Sequence, residues 1–140
     1  MQQFITRFFY SHLQGLELLF IAYRRYKRKD KLMARQLFDK FKSGMERHIE
    51  QEEQCLLPEL ELVSHEQAVF DKARREHQQI RQQMNWIESL LDRQVDSSED
   101  DQTLEYLLSD HFENDEFGLY PTCDRLLDTD ATTRVLMAVY

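Results

Sequence analysis

With 140 residues, the chain has material for one hydrophobic core and too little for two independent ones. A formal net charge of -8 excludes the basic footprint that nucleic acid or an anionic membrane requires, and no run of about 18 apolar residues exists to span a bilayer. Only 3 Gly and 2 Pro punctuate a sequence dominated by Leu, Gln, Glu, Arg and Lys, so an all-α fold of long helices is expected.

The first helix is predicted over about 2–27, with Phe8, Leu16, Leu19 and Tyr23 along one apolar stripe and His12 inside it. The basic run Arg24, Arg25, Lys27, Arg28, Lys29 suits a solvated last turn, where positive charge complements the helix dipole. Asp30 then opens a second helix over about 31–56 that stops before Pro58. Its inward face carries Leu37, Phe41, Met45 and Cys55, together with His48 and Glu52. Ser64 can cap a third helix over about 66–94, in which Val69, Ala73, Ile80, Met84, Ile87 and Leu91 form the stripe and His77 completes the register.

The acidic stretch Asp96-Ser97-Ser98-Glu99-Asp100-Asp101 is predicted to be an exposed connection and helix start, since it offers nothing to bury. A fourth helix over about 102–127 points Leu104, Leu108, Leu119 and Leu126 inward, with His111 and Asp115 between them and Pro121 expected to kink or end it. The tail 128–140 is apolar and partly β-branched, so it is expected to pack across the bundle, or to meet a second copy or a protein partner. The opening residues lack the order of a signal peptide, which makes the cytoplasm the expected location. Cys55 and Cys123 show no CxxC spacing and are expected to be reduced thiols.

Two segments repeat one pattern. His48-Ile49-Glu50-Gln51-Glu52-Glu53 precedes Leu57-Pro58, and His111-Phe112-Glu113-Asn114-Asp115-Glu116 precedes Tyr120-Pro121. A four-residue step sets imidazole and carboxylate on one helix face, one turn apart, where both can reach a shared ion. A lone histidine on an apolar face is more often a hydrogen-bonded core residue than a ligand, so His12 or His77 alone carries little weight. An inward Glu52 and Asp115 are harder to account for. Neither stripe offers an Arg or Lys at their level, and a buried uncompensated carboxylate is costly.

At a rise of about 1.5 Å per residue, the four histidines fall at similar depths in an antiparallel bundle. Four imidazoles and two carboxylates exceed one closed tetrahedral zinc site. They suit two ions bridged by Glu52 and Asp115, with iron the first expectation and manganese or zinc also compatible with the donors.

At these residues the chain resembles the hemerythrin-like, or HHE cation-binding, family. The resemblance is carried by Tyr10-Ser11-His12-Leu13, the two repeated segments and Arg75-Glu76-His77-Gln78-Gln79-Ile80-Arg81, and covers roughly residues 4–127. It implies an up-and-down antiparallel four-helix bundle around a carboxylate-bridged di-iron centre, with His12, His48, Glu52, His77, His111 and Asp115 as ligands. Oxygen-carrying hemerythrins use a His-x-x-x-His pair on the third helix, whereas Ala73 stands four residues before His77 here. The resemblance therefore runs toward six-ligand members, which include iron-centre repair proteins, nitric-oxide-related proteins and an iron- and oxygen-sensing domain. Repair proteins of that kind usually carry an N-terminal cysteine-bearing domain, which is not expected in a chain that begins at the bundle. In the oxygen carriers the fourth-helix acid follows its histidine by five residues, which keeps Glu116 as an alternative to Asp115.

Tyr10, Tyr23 and Tyr120 are expected to pack, with hydrogen bonding to ligand carboxylates as the alternative. Glu50, Glu53 and Glu113 are expected to face water or to support ligand imidazoles. His65 lies in a connection and is expected at the surface.

The function these residues imply is a non-haem di-iron protein that binds or senses a small diatomic ligand, oxygen or nitric oxide, or protects against oxidative or nitrosative stress. A ferroxidase or oxidase is the enzymatic alternative, although the Glu-x-x-His pair of ferritin-like sites is absent. A regulatory module whose metal only stabilises a partner-binding surface is the third.

Overall fold

The computed structural model describes residues 3–140; Gln2, where the first helix was expected to begin, lies outside the described residues. The chain is all α: α1 (Phe4–Tyr26), α2 (Lys31–Gln51), α3 (Leu57–Glu61), α4 (Gln67–Asp92), α5 (Ser98–Asn114), α6 (Tyr120–Leu126) and α7 (Thr129–Val139). Two π-helical turns, Glu52–Leu56 and Asp115–Leu119, join α2 to α3 and α5 to α6, so seven helices make four long rods and a short fifth.

Cross-rod pairs fix the directions. Arg35 reaches Asp92, Lys42 reaches Glu88 and Glu52 reaches His77, so α2 and α4 run antiparallel. Lys27 near the end of α1 meets Asp101 near the start of α5, while Ile5 and Thr6 meet Asp124 on α6, which sets the first and fourth rods antiparallel too. The result is the expected hemerythrin-like up-and-down bundle.

Two helices, α2 and α7, begin at a residue whose side chain satisfies a first-turn amide, whereas α4 and α5 have no side-chain cap and Ser64 does not serve as one. Asp30 accepts from Met33 N at 3.0 Å, and Asp128 accepts from Ala131 N at 2.8 Å. Gln3 gives α1 no such cap. Asp124, far away in sequence, takes that role by accepting from Ile5 N at 2.9 Å, Thr6 N at 3.1 Å and Thr6 Oγ1 at 2.6 Å.

Several expectations are corrected, and of the residues expected inward Val69 and Leu126 are exposed. The second rod does not stop before Pro58 but continues to Glu61, because a π turn precedes the proline. Leu57 N–H bonds to Glu52 O, five residues back, and Tyr120 N–H bonds to Asp115 O in the same way before Pro121. A wider turn at that point relieves the clash and the missing donor that proline brings to an α-helix. The buried stripe of α1 is Ile5, Phe9, Leu13, Leu16, Phe20 and Tyr23, which leaves Phe8 and Leu19 on the flank and His12 exposed. The acidic stretch is not all exposed: Ser97 and Asp101 are buried, where Tyr23 Oη donates to Asp101 Oδ1 at 2.9 Å and Lys27 Nζ lies 2.6 Å from Asp101 Oδ2. Lys27 is thereby drawn out of the solvated basic run.

The tail forms α7 and packs on its own bundle. Ala131, Val135 and Val139 are buried, Arg134 makes a two-pronged ion pair with Glu59, and Gln51 Nε2 donates to Val139 O. Among the described residues no helix is long and apolar enough to cross a membrane.

Candidate metal centre

Each π turn starts at a candidate carboxylate. Glu52 opens the first and Asp115 the second, each one helical turn after its histidine and six residues before its proline. Such turns are frequent at functional sites. The sequence repeat is thus also a structural repeat, and it brings His48, Glu52, His111 and Asp115 into one buried cluster whose ligand atoms all lie within 4.8 Å of one another. His77 arrives from α4 and places Nε2 2.9 Å from Glu52 Oε2. All five residues are at most 2% exposed, so whatever compensates their charge must lie inside the protein.

Imidazole nitrogens crowd the two carboxylates. His48 Nε2 lies 2.8 Å from Glu52 Oε1 and 3.6 Å from Asp115 Oδ2, and His111 Nε2 lies 3.1 Å from Asp115 Oδ2. Yet His48 Nε2 and His111 Nε2 make no hydrogen bond of acceptable geometry, although both are completely buried. Close approach without directional bonding is unfavourable for polar groups on their own. It suits nitrogen and oxygen donors aimed at a common cation, where ligands about 2.1 Å from an ion stand about 3 Å apart.

The far sides of two rings are held. His77 Nδ1 lies 2.7 Å from Glu53 Oε2, and His111 Nδ1 lies 2.8 Å from Glu76 Oε1, which Asn114 also contacts at 2.8 Å through Oε2. Carboxylates in this position fix the ring and raise its basicity as a ligand. Tyr120 Oη donates to Glu52 Oε1 at 2.6 Å and lies 3.2 Å from Asp115 Oδ2. The packing expectation is therefore corrected for Tyr120, which both stacks on Phe9 and binds the carboxylates.

Without a cation the cluster balances charge with protons. Burial works to lower the His48 pKa, but the Glu52 and Asp115 carboxylates overcome it and raise it to about 9. His111 is likewise raised despite burial, by Asp115, Glu76 and Glu52. Burial and the neighbouring Glu52 charge push Asp115 up, whereas Glu52 is held low against burial by His48 and His77. Burial and the two carboxylates raise the Tyr120 phenol well above its ordinary range, which keeps it a donor.

Two sequence candidates stand apart. His12 is exposed beside Phe8, with ring centroids 4.6 Å apart, at the mouth of a cavity whose wall includes His48. Burial and the charges of His48 and Arg47 lower its pKa. Glu116 faces a groove between α1 and α5, so the structure brings Asp115 to the cluster instead. Glu50 and Glu113 are exposed, as is His65, while Ala73 is buried one turn before His77. Glu76 was not singled out by sequence reasoning. Its only signal is adjacency to His77, which turns it away from that ring and toward the fourth rod.

The matching family model is the hemerythrin HHE cation-binding domain, over residues 5–123. No curated protein and no solved structure matches the chain. With its buried histidine and carboxylate cluster built on the second, third and fourth rods, the chain belongs to the hemerythrin HHE cation-binding family.

Proposed function

We propose that the cluster holds two iron ions and that the protein binds or senses a small diatomic ligand, oxygen or nitric oxide, in an oxidative or nitrosative stress setting. The observation that carries this reading is the pair of buried, unpartnered nitrogens, His48 Nε2 and His111 Nε2, beside Glu52 and Asp115. His48, Glu52, His77, His111 and Asp115 would hold the metal. His12 would be the sixth ligand, a role supported by the family pattern and by its place at the mouth of the cavity that His48 walls. Bound iron would supply an open coordination position and electrons for a diatomic ligand. The protein's part is to exclude bulk water, to hold the rings through Glu53 and Glu76, and to keep a Tyr120 proton directed at the carboxylates. Manganese or zinc would fit the same donors.

A binding or sensing role is favoured over a dedicated oxidase because the Glu-x-x-His pair of ferritin-like oxidase sites is absent from the sequence. The test is aerobic purification followed by metal analysis by plasma mass spectrometry and absorption spectra before and after reduction, oxygen and nitric oxide. About two irons per chain is the expected content. Gas-dependent spectra that His77→Ala abolishes would support the reading, and a folded protein that takes up no metal would refute it.

A further inference from the structure

The clustered ligands are buried, so a ligand from solvent needs a route, and the cavity between α1 and α2 offers one. Gly15, Leu16 and Leu19 of α1 face Gly44 and His48 of α2 across it, with His12 and Arg47 among its lining residues. Two larger cavities, of about 360 and 550 Å³, have no cluster residue in their walls. We infer that this cavity is the passage by which a small uncharged diatomic molecule reaches the His48 side of the centre, with Gly15 and Gly44 keeping it open and His48 as its inner wall.

Three observations support this. A side chain at Gly15 would meet nothing within 4 Å, so the glycine borders open space. A Cβ at Gly44 would lie 2.6 Å from Leu16 Cδ2 and would displace a residue that itself lines the cavity. Among the three clustered imidazoles, His77 and His111 are tied through Nδ1 to Glu53 and Glu76, whereas His48 Nδ1 has no partner. The one clustered imidazole with no bond behind it is thus the one that lines the cavity. Arg47, the one formally charged residue of the lining, is exposed, and the leucines and glycines offer no charge to a hydrated ion, which favours an uncharged diatomic.

The inference rests on the ligand-binding reading of the centre, so it is tested in metal-free protein with dioxygen as the probe. Dissolved dioxygen under pressure speeds proton relaxation wherever it resides, and the sequence has only 3 glycines, at positions 15, 44 and 118. Relaxation is expected to be enhanced several-fold more at the Gly44 amide and the His48 ring than at the Gly118 amide. Gly15→Phe should remove that excess, and Gly15→Ala should reduce it in part, with circular dichroism checking the fold. No excess at Gly44 and His48 in the unmodified protein, or an excess unchanged in Gly15→Phe, would overturn the passage. Iron titration of the same samples separates that failure from failure of the metal reading.

Discussion

The Tyr120 hydroxyl donates to Glu52 Oε1 at 2.6 Å, which ties the fourth rod to the second across the buried cluster. Removing it leaves a buried carboxylate short of one charge-assisted bond, a loss of about 1.5–3 kcal/mol. For a chain of this length Tyr120→Phe should lower the Tm of metal-free protein by about 5–10 °C. A bound cation compensates the same carboxylate, so the deficit should shrink in metal-loaded protein. Thermal melts of both proteins, each with and without metal, check this; an equal deficit in the two states would show that the hydroxyl serves packing alone.

Glu76→Ala and Glu53→Ala should each weaken metal binding by about 10–100-fold while leaving helix content unchanged, because each frees the far nitrogen of one imidazole. The Glu76 variant should be the more severe, since Glu76 is the more buried and also bonds Asn114. Competition against a chelator of known affinity measures the effect. Unchanged affinities would mean that core packing alone orients His111 and His77.

Legibility in the sequence follows what the periodicity can encode. His48, Glu52, His111 and Asp115 were readable because a four-residue step repeats beside matching prolines, and the cluster joins those four. The face of α1 was not, because the helix carries two apolar stripes. Phe8 and Leu19 extend one, while Ile5, Phe9, Leu13 and Phe20 extend the other, which is the buried one. That single-position rotation places His12 at the cavity mouth instead of in the cluster. Asp124 and Glu76 were equally silent, because a charged residue is recognised as a cap or a ring support only once the fold brings its partner close.

Metal-free protein should lose stability as pH rises through about 9. The folded pKa of His48, raised to about 9, exceeds the ordinary 6.5, so its contribution is fully present below about 6.5 and is lost as pH climbs through the folded value. His111 shifts in the same direction. Metal binding has the opposite slope, since ligating imidazoles must shed these protons, and affinity should rise over the same window with measurable proton release. Denaturant titrations of metal-free protein and calorimetry of metal binding in buffers of different ionisation enthalpy test the two slopes together.

The Lys27 to Asp101 pair should matter independently of metal. Asp101 is 1% exposed, accepts from Tyr23 and lies 2.6 Å from Lys27 Nζ, so Lys27→Met would leave a buried carboxylate without its counter-charge, at a cost of about 3 kcal/mol. Asp101→Asn removes the charge but keeps an acceptor for the Tyr23 hydroxyl, so the double variant should recover most of that loss. Asp101 stands about 15 Å along its rod from His111, by the helical rise, and the pair joins the first rod to the fourth far from the cluster. The same cycle in metal-free and metal-loaded protein should therefore return the same coupling energy. A coupling that changed on metal loading would instead mean that the ions reorganise the first rod along its length, and the exposed position of His12 would then belong to the metal-free state alone.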